Sequence, residues 1–144
     1  MRPRTELPLL ERTLDMTYLV AYAGATWDWY GTHYDPAAIA AAGLPGPLVD
    51  GQMLGALLAE QALDAAGPGA QVRRMGFRFR SMVFAGDTVR VEGSVVSVAG
   101  QRVRLAQRIL VGERVAVEPA WTELDLPWAG GVATTAYMCS PPGS

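Results

Sequence analysis

The chain has 144 residues, the length of one domain, and its twelve basic residues, all Arg, face fourteen acidic ones for a net charge of −2. With no Lys, no Asn, a single His (His33) and a single Cys (Cys139), the sequence excludes Schiff-base catalysis, a phosphate-cradling P-loop, a structural zinc site, an iron–sulfur cluster, an intrachain disulfide and an N-glycosylation sequon. Acid–base chemistry would fall to His33, carboxylates, hydroxyls and backbone groups. Charged residues make up 18% and apolar residues 50%, a balance that predicts surface hidden in an oligomer interface. The near-neutral charge argues against nucleic-acid partners. No apolar run reaches the ~18–20 residues of a membrane span, and no signal-peptide core follows Met1-Arg2-Pro3-Arg4, so a cytoplasmic protein is expected.

The first half reads as helical. Asp15 is positioned to cap a helix carrying Tyr18, Leu19, Tyr22 and Ala25 at near-helical spacing. A short element follows from Pro36 to Ala42, with Pro in the first turn and Gly43 as its stop. Leu44-Pro45-Gly46-Pro47-Leu48 makes a tight loop. From Gly51 to about Ala66 apolar residues occupy nearly the whole circumference, which predicts a helix buried on most sides. Gly67-Pro68-Gly69 ends it.

The second half reads as strands. Met75, Phe77 and Phe79 alternate with Arg74, Arg78 and Arg80 between Val72 and Arg80. Thr88–Val98 is a β-branched run. Arg102–Val111 aligns Val103, Leu105, Ile109 and Val111, and Arg114–Leu124 aligns Val115, Val117 and Trp121. Short turns between them predict a four-stranded antiparallel meander wrapped around the apolar helix. Residues 127–144, rich in Gly, Thr and Pro, read as a loose tail. Cys139 lies there with no base near it in sequence, so it is not expected to act as a nucleophile.

Two segments carry candidate chemistry. Asp28-Trp29-Tyr30-Gly31-Thr32-His33 sets an acid and the sole imidazole five residues apart in aromatic surroundings. Such walls are expected to lower the dielectric and perturb both groups unless they pair, and an acid and an imidazole around one water form a general acid–base unit. The plain alternative is a capping Asp28 and a loop His33. In Asp50-Gly51-Gln52, a helix beginning at Gly offers free backbone N–H groups and its positive dipole end to an oxyanion or thioester carbonyl. The plain alternative there is tight packing at Gly51 with Asp50 as an ordinary cap. Arg73, Arg74, Arg78 and Arg80 are candidates for phosphate contacts, or the solvated face of a strand.

Taken together, Asp-x4-His, the Gly-Leu-Pro-Gly loop, Gly51-Gln52-Met53-Leu54 and the run from Phe77 to Val89 with its Gly86-Asp87-Thr88-Val89 turn resemble the MaoC-like hot-dog hydratases and dehydratases. The resemblance runs from about Ala21 to Val98 and extends to the single-hot-dog subunits of hetero-oligomeric hydratases of actinobacterial steroid side-chain catabolism. It implies an α+β fold, a single hot-dog domain over residues 1–126, at least dimeric, as a homodimer or with another hot-dog subunit. It also implies reversible syn addition of water to a 2-enoyl thioester carried on coenzyme A or the phosphopantetheine of an acyl carrier protein. In that reading Asp28 and His33 share the catalytic water, the Gly51 N–H polarises the thioester carbonyl, and Asp50, Tyr30, Trp29 and Arg78 line the substrate side. No metal or other cofactor is implied. The chain departs from the family pattern at three places: Tyr30 replaces an orienting amide, Asp50 replaces a His, and Ala59 replaces a Ser. A hot-dog thioesterase, a non-catalytic acyl-binding subunit and a cyclase adding an internal hydroxyl are the alternatives.

Overall fold

The structure, a computed structural model, describes residues 5–127; most of the segment read as a tail, 128–144, including Cys139, lies outside the described residues. In chain order the elements are β1 (Leu10–Thr13), α1 (Met16–Thr26), a 3-10 turn (Gly31–His33), α2 (Pro36–Ala41), α3 (Gly51–Ala66), β2 (Gln71–Phe79), β3 (Thr88–Ala99), β4 (Arg102–Val111) and β5 (Arg114–Asp125). The five strands form one antiparallel sheet in the order β1-β3-β4-β5-β2. This is the α+β architecture expected, with two corrections. β3, β4 and β5 form the meander, but β2 crosses to pair with β5, and the four-residue β1 adds an edge beside β3. Pattern along a strand reports which face is buried and not which neighbour it finds, so neither pairing was readable.

Helix α3 is the axis of the core. Met53, Leu54, Leu57 and Leu58 pack with Val89, Val91, Ile109, Ala116 and Val117. Toward its other end Ala62, Ala65 and Ala66 meet Val103, Leu105 and Leu124. Its exposed residues are Gln52, Ala56, Leu63 and Asp64, so the helix is buried on most sides as the apolar circumference predicted. Between the two clusters lies a buried polar bridge. The Gln61 side-chain amide donates to the carbonyls of Pro8 (2.9 Å) and Val91 (2.7 Å), Gln107 donates to Leu58 O (2.9 Å) and Gln61 (3.0 Å), and Thr122 donates to Gln107 (2.7 Å). Every side-chain polar atom of the bridge is thereby paired, which is the condition for burying it.

Two face assignments are corrected. Ala25 is exposed, and Ala23 takes the inward position with Leu19. The alignment of Val115, Val117 and Trp121 fails at Trp121. Gln107 pairs with Ala120 and Ile109 with Val117, so three steps on β5 face two on β4. That bulge turns Trp121 to the outer face, where its ring lies between the guanidinium groups of Arg104 (4.7 Å) and Arg74 (5.8 Å), and Ala120 and Thr122 go inward.

Candidate active site

The two candidate segments, distant in sequence, meet beside the start of α3. Asp15 caps α1 through the Tyr18 N–H (2.9 Å). The helix ends at Trp27, whose φ of 58° puts a bulky side chain in the left-handed region, a conformation that costs about 1–3 kcal/mol. The reversal lets the Asp28 N–H bond back to Ala23 O at 3.1 Å and brings the Asp28 carboxylate toward Leu19, Tyr22 and Ala23. The Tyr30 N–H donates to Asp28 Oδ1 at 3.2 Å. His33 closes the 3-10 turn that follows.

Leu48 clamps the two segments together. Its N–H donates to Thr32 O (2.9 Å), and its carbonyl lies 2.5 Å from His33 Nδ1. A carbonyl can only accept, so Nδ1 carries the proton and Nε2 is left free of this contact. One residue on, the Val49 N–H donates to Val83 O (2.8 Å), fixing the strap that leads into α3. Asp50 caps that helix through the Gln52 N–H (2.8 Å). Ligand-type atoms of Asp28, His33 and Asp50 all lie within 4.8 Å of one another. Together with Leu19, Tyr22, Ala23 and Met53 these three residues line a cavity of about 10 Å³, the size that admits one water. Burial, and then the charges of Asp50 and Asp28, push the Tyr22 phenol above its ordinary value, so Tyr22 faces the cavity as a neutral hydroxyl.

A separate apolar groove of about 340 Å³ is lined by Leu48, Gly51, Leu54, Phe79, Met82 and Val83 among others, so that Asp50 and Gly51, adjacent in the chain, line one each. The Gly51 N–H makes no hydrogen bond among the described residues. A methyl at Gly51 would lie 2.6 Å from Phe79 Cζ, so both plain readings hold here: Gly51 permits a tight contact and Asp50 is a cap. Both residues also line cavities.

The sequence expectations fare unevenly. Asp28, His33, Asp50 and Gly51 come together as expected. The aromatic walls do not form: Trp27 (80% exposed), Tyr30 (67%), Trp29 and Tyr34 present their rings to solvent, and Asp28 is exposed with them. Among the described residues no element covers these rings, which pack edge to face on each other and, in Tyr30, on His33 at 6.0 Å. The Arg row is dispersed. Arg73 pairs with Asp125, Arg74 lies over Trp121, Arg80 borders the apolar groove with its Nε donating to Glu118 O, and Arg78 is exposed on the edge strand and lines neither cavity. Tyr22 went unrecognised as a site residue; its signal was its place on the inward face of α1, six residues before Asp28. The two carboxylates and the imidazole are also a ligand set that divalent metals accept.

A hot-dog sheet around a central helix, with an acid, an imidazole and a helix N-terminus converging beside it, defines the class of protein. The chain belongs to the MaoC like domain family, whose match spans residues 2–118. Among solved structures it resembles the ChsH1–ChsH2 complex from Mycobacterium tuberculosis (27% identity over 88% of this chain and 100% of that one, TM-score 0.80). It also resembles an (R)-hydratase from A. caviae involved in PHA biosynthesis (24%, 88% and 98%, TM-score 0.79). A variant of the fluoroacetyl-CoA-specific thioesterase FlK shares the fold at 14% identity (87% of each chain, TM-score 0.65). Among curated protein sequences nothing matches the chain. No helix among the described residues is long and apolar enough to cross a membrane.

Proposed function

We propose that this chain adds water to, and removes it from, the 2,3 double bond of an enoyl thioester carried on coenzyme A or on phosphopantetheine. The observation that carries the reading is the cavity of about 10 Å³ between Asp28, His33 and Asp50, with the larger apolar groove lined by the next residue, Gly51. Membership of the MaoC like domain family and the fold shared with the (R)-hydratase support it. A thioesterase needs a water at the carbonyl carbon, whereas here the water-sized space lies at the acid–base pair.

The chemistry follows from the arrangement. A water in the cavity gives a proton to the Asp28–His33 pair as its oxygen bonds to C3. The π electrons move to C2 and the carbonyl oxygen, where the Gly51 N–H receives the developing charge. The same pair then returns a proton to C2, so the water is added whole and no metal or redox cofactor enters the scheme. An acid–base pair of this kind contributes about 10²–10⁴-fold, and one oxyanion donor about 2.7–4 kcal/mol. The acyl chain or its carrier arm fits the groove between Leu54, Phe79 and Met82. The exposed Asp28 and its aromatic neighbours favour function alongside a second hot-dog subunit, identical or different, as two chains form the ChsH1–ChsH2 complex. The reading is tested by following enoyl-thioester absorbance with wild type, Asp28→Ala and His33→Ala. Wild-type turnover is expected to leave no free thiol and to vanish in both variants; turnover that survives both sinks the assignment, and thiol release establishes the thioesterase.

A further inference from the structure

We infer that Asp50, besides capping α3, is the residue that holds the reacting water in place, an inference that rests on the hydration reading above. The cap occupies only one of its oxygens: Oδ1 accepts from the Gln52 N–H at 2.8 Å. The other oxygen makes no hydrogen bond among the described residues, although Asp50 is buried. That oxygen keeps some access to solvent, since the buried side-chain polar atoms without a partner among the described residues are Thr32 Oγ1 and Arg90 Nε. Asp50 forms part of the cavity wall with Asp28 and His33, where its free lone pairs have a water to meet.

The spacing is that of a shared water. Two groups, each about 2.8 Å from one water at a tetrahedral angle, stand about 4.6 Å apart; the three groups here lie within 4.8 Å of one another. A carboxylate only accepts, so Asp50 takes the O–H that is not transferred. The other O–H is left to the Asp28–His33 pair, and a lone pair is left to face C3. Tyr22, another residue of the cavity wall, adds a neutral hydroxyl and no competing charge. The role is particular to this chain, since Asp50 stands where the resemblance places a His.

Capping and water-holding separate cleanly by substitution. Asn and Ser cap helices about as well as Asp, but Asp50→Asn replaces the free oxygen with a donor and Asp50→Ser deletes it. Both variants are expected to keep the wild-type circular dichroism and melting temperature within a few degrees. Their KM for an enoyl thioester should stay within about twofold, and kcat should fall about ten- to a hundredfold, the scale of a misplaced reactant. Unchanged kcat in both folded variants overturns the inference, as does a loss of rate that only parallels a loss of fold. A crystallographic readout makes the test independent of turnover. High-resolution crystals of the wild type should hold a water within hydrogen-bond distance of Asp50, Asp28 and His33, and crystals of Asp50→Ser should lack it. A dry wild-type cavity overturns the inference whatever the activity. Wild-type protein inactive on enoyl thioesters yet holding that water overturns the hydration reading alone.

Discussion

The two halves of the site are built from opposite kinds of backbone. Asp28 and His33 sit on an exposed reversal and a 3-10 turn, held by a strained Trp27 and by hydrogen bonds to Ala23, Tyr30 and Leu48. Asp50 and Gly51 open a helix whose inner face is the core itself, with Met53 and Leu54 buried immediately behind them. The first half can be altered at little cost to the fold, because little packs on it. The second cannot, since its geometry is that of the core. In the proposed reading the acid–base pair stands on the adjustable half, and Asp50 with the helix dipole on the rigid half, with the Leu48 strap holding them in register.

The sharpest way to break this contrast is to remove the chemistry from the exposed half. Asp28→Asn and His33→Ala should each lower kcat by about 10²–10⁴-fold, while chemical denaturation moves Asp28→Asn by less than about 0.5 kcal/mol, as for a surface substitution. A large stability loss in Asp28→Asn would show that the reversal is part of the core. On the rigid half, Gly51→Ala places a methyl against the Phe79 ring, which is half exposed and able to swing into the groove. Steady-state kinetics should show kcat/KM falling at least about tenfold, a loss of about 1.4 kcal/mol in transition-state binding, with the fold retained.

Two controls away from the site sharpen the comparison. Thr122→Val keeps the shape but leaves the buried Gln107 carbonyl oxygen without its donor. It should cost about 1–3 kcal/mol in urea unfolding without changing kcat, since the polar bridge supports α3 on the side remote from Asp50. The smallest effect concerns Asp125, which hydrogen bonds from Arg102 and Arg73 hold at about 2, below its ordinary 3.8. Because the folded value is the lower one, its contribution is present above about pH 4 and is lost as the pH falls toward 2. The pair is exposed, so added salt should weaken it. An NMR titration of the Asp125 carboxyl should find its midpoint near 2; a midpoint near 3.8 would show that neither Arg engages it in solution.

Much of this was legible in the sequence because local chemistry fixed it. Asp15 and Asp50 were readable as caps, Asp35 caps α2 as well, and each accepts from the amide expected of a cap. Gly43 and Gly67 stop two of those helices with positive φ. The joining of Asp28, His33 and Gly51 came from residue order matched to a family pattern. What misled was inference from residue type to environment. Trp27, Trp29 and Tyr30 read as walls and are exposed, since hydrophobicity alone does not say whether another element lies above a turn. Trp121 read as core and faces out, since a one-residue bulge reverses every face beyond it.

By itself, then, the sequence determined the limits of α2 and α3, all four long strands to within a residue at each end, and the grouping of Asp28, His33 and Gly51 as candidate site residues. These follow from interactions between residues a few positions apart, which composition and spacing record directly. Only the tertiary structure decided that β2 lies beside β5 and that Leu48 fastens His33 to the strap leading into α3. It likewise decided that Asp28, His33 and Asp50 enclose room for one water. Those are contacts across 15 or more residues of chain, and their geometry is set by how the sheet closes around α3, which no local pattern encodes.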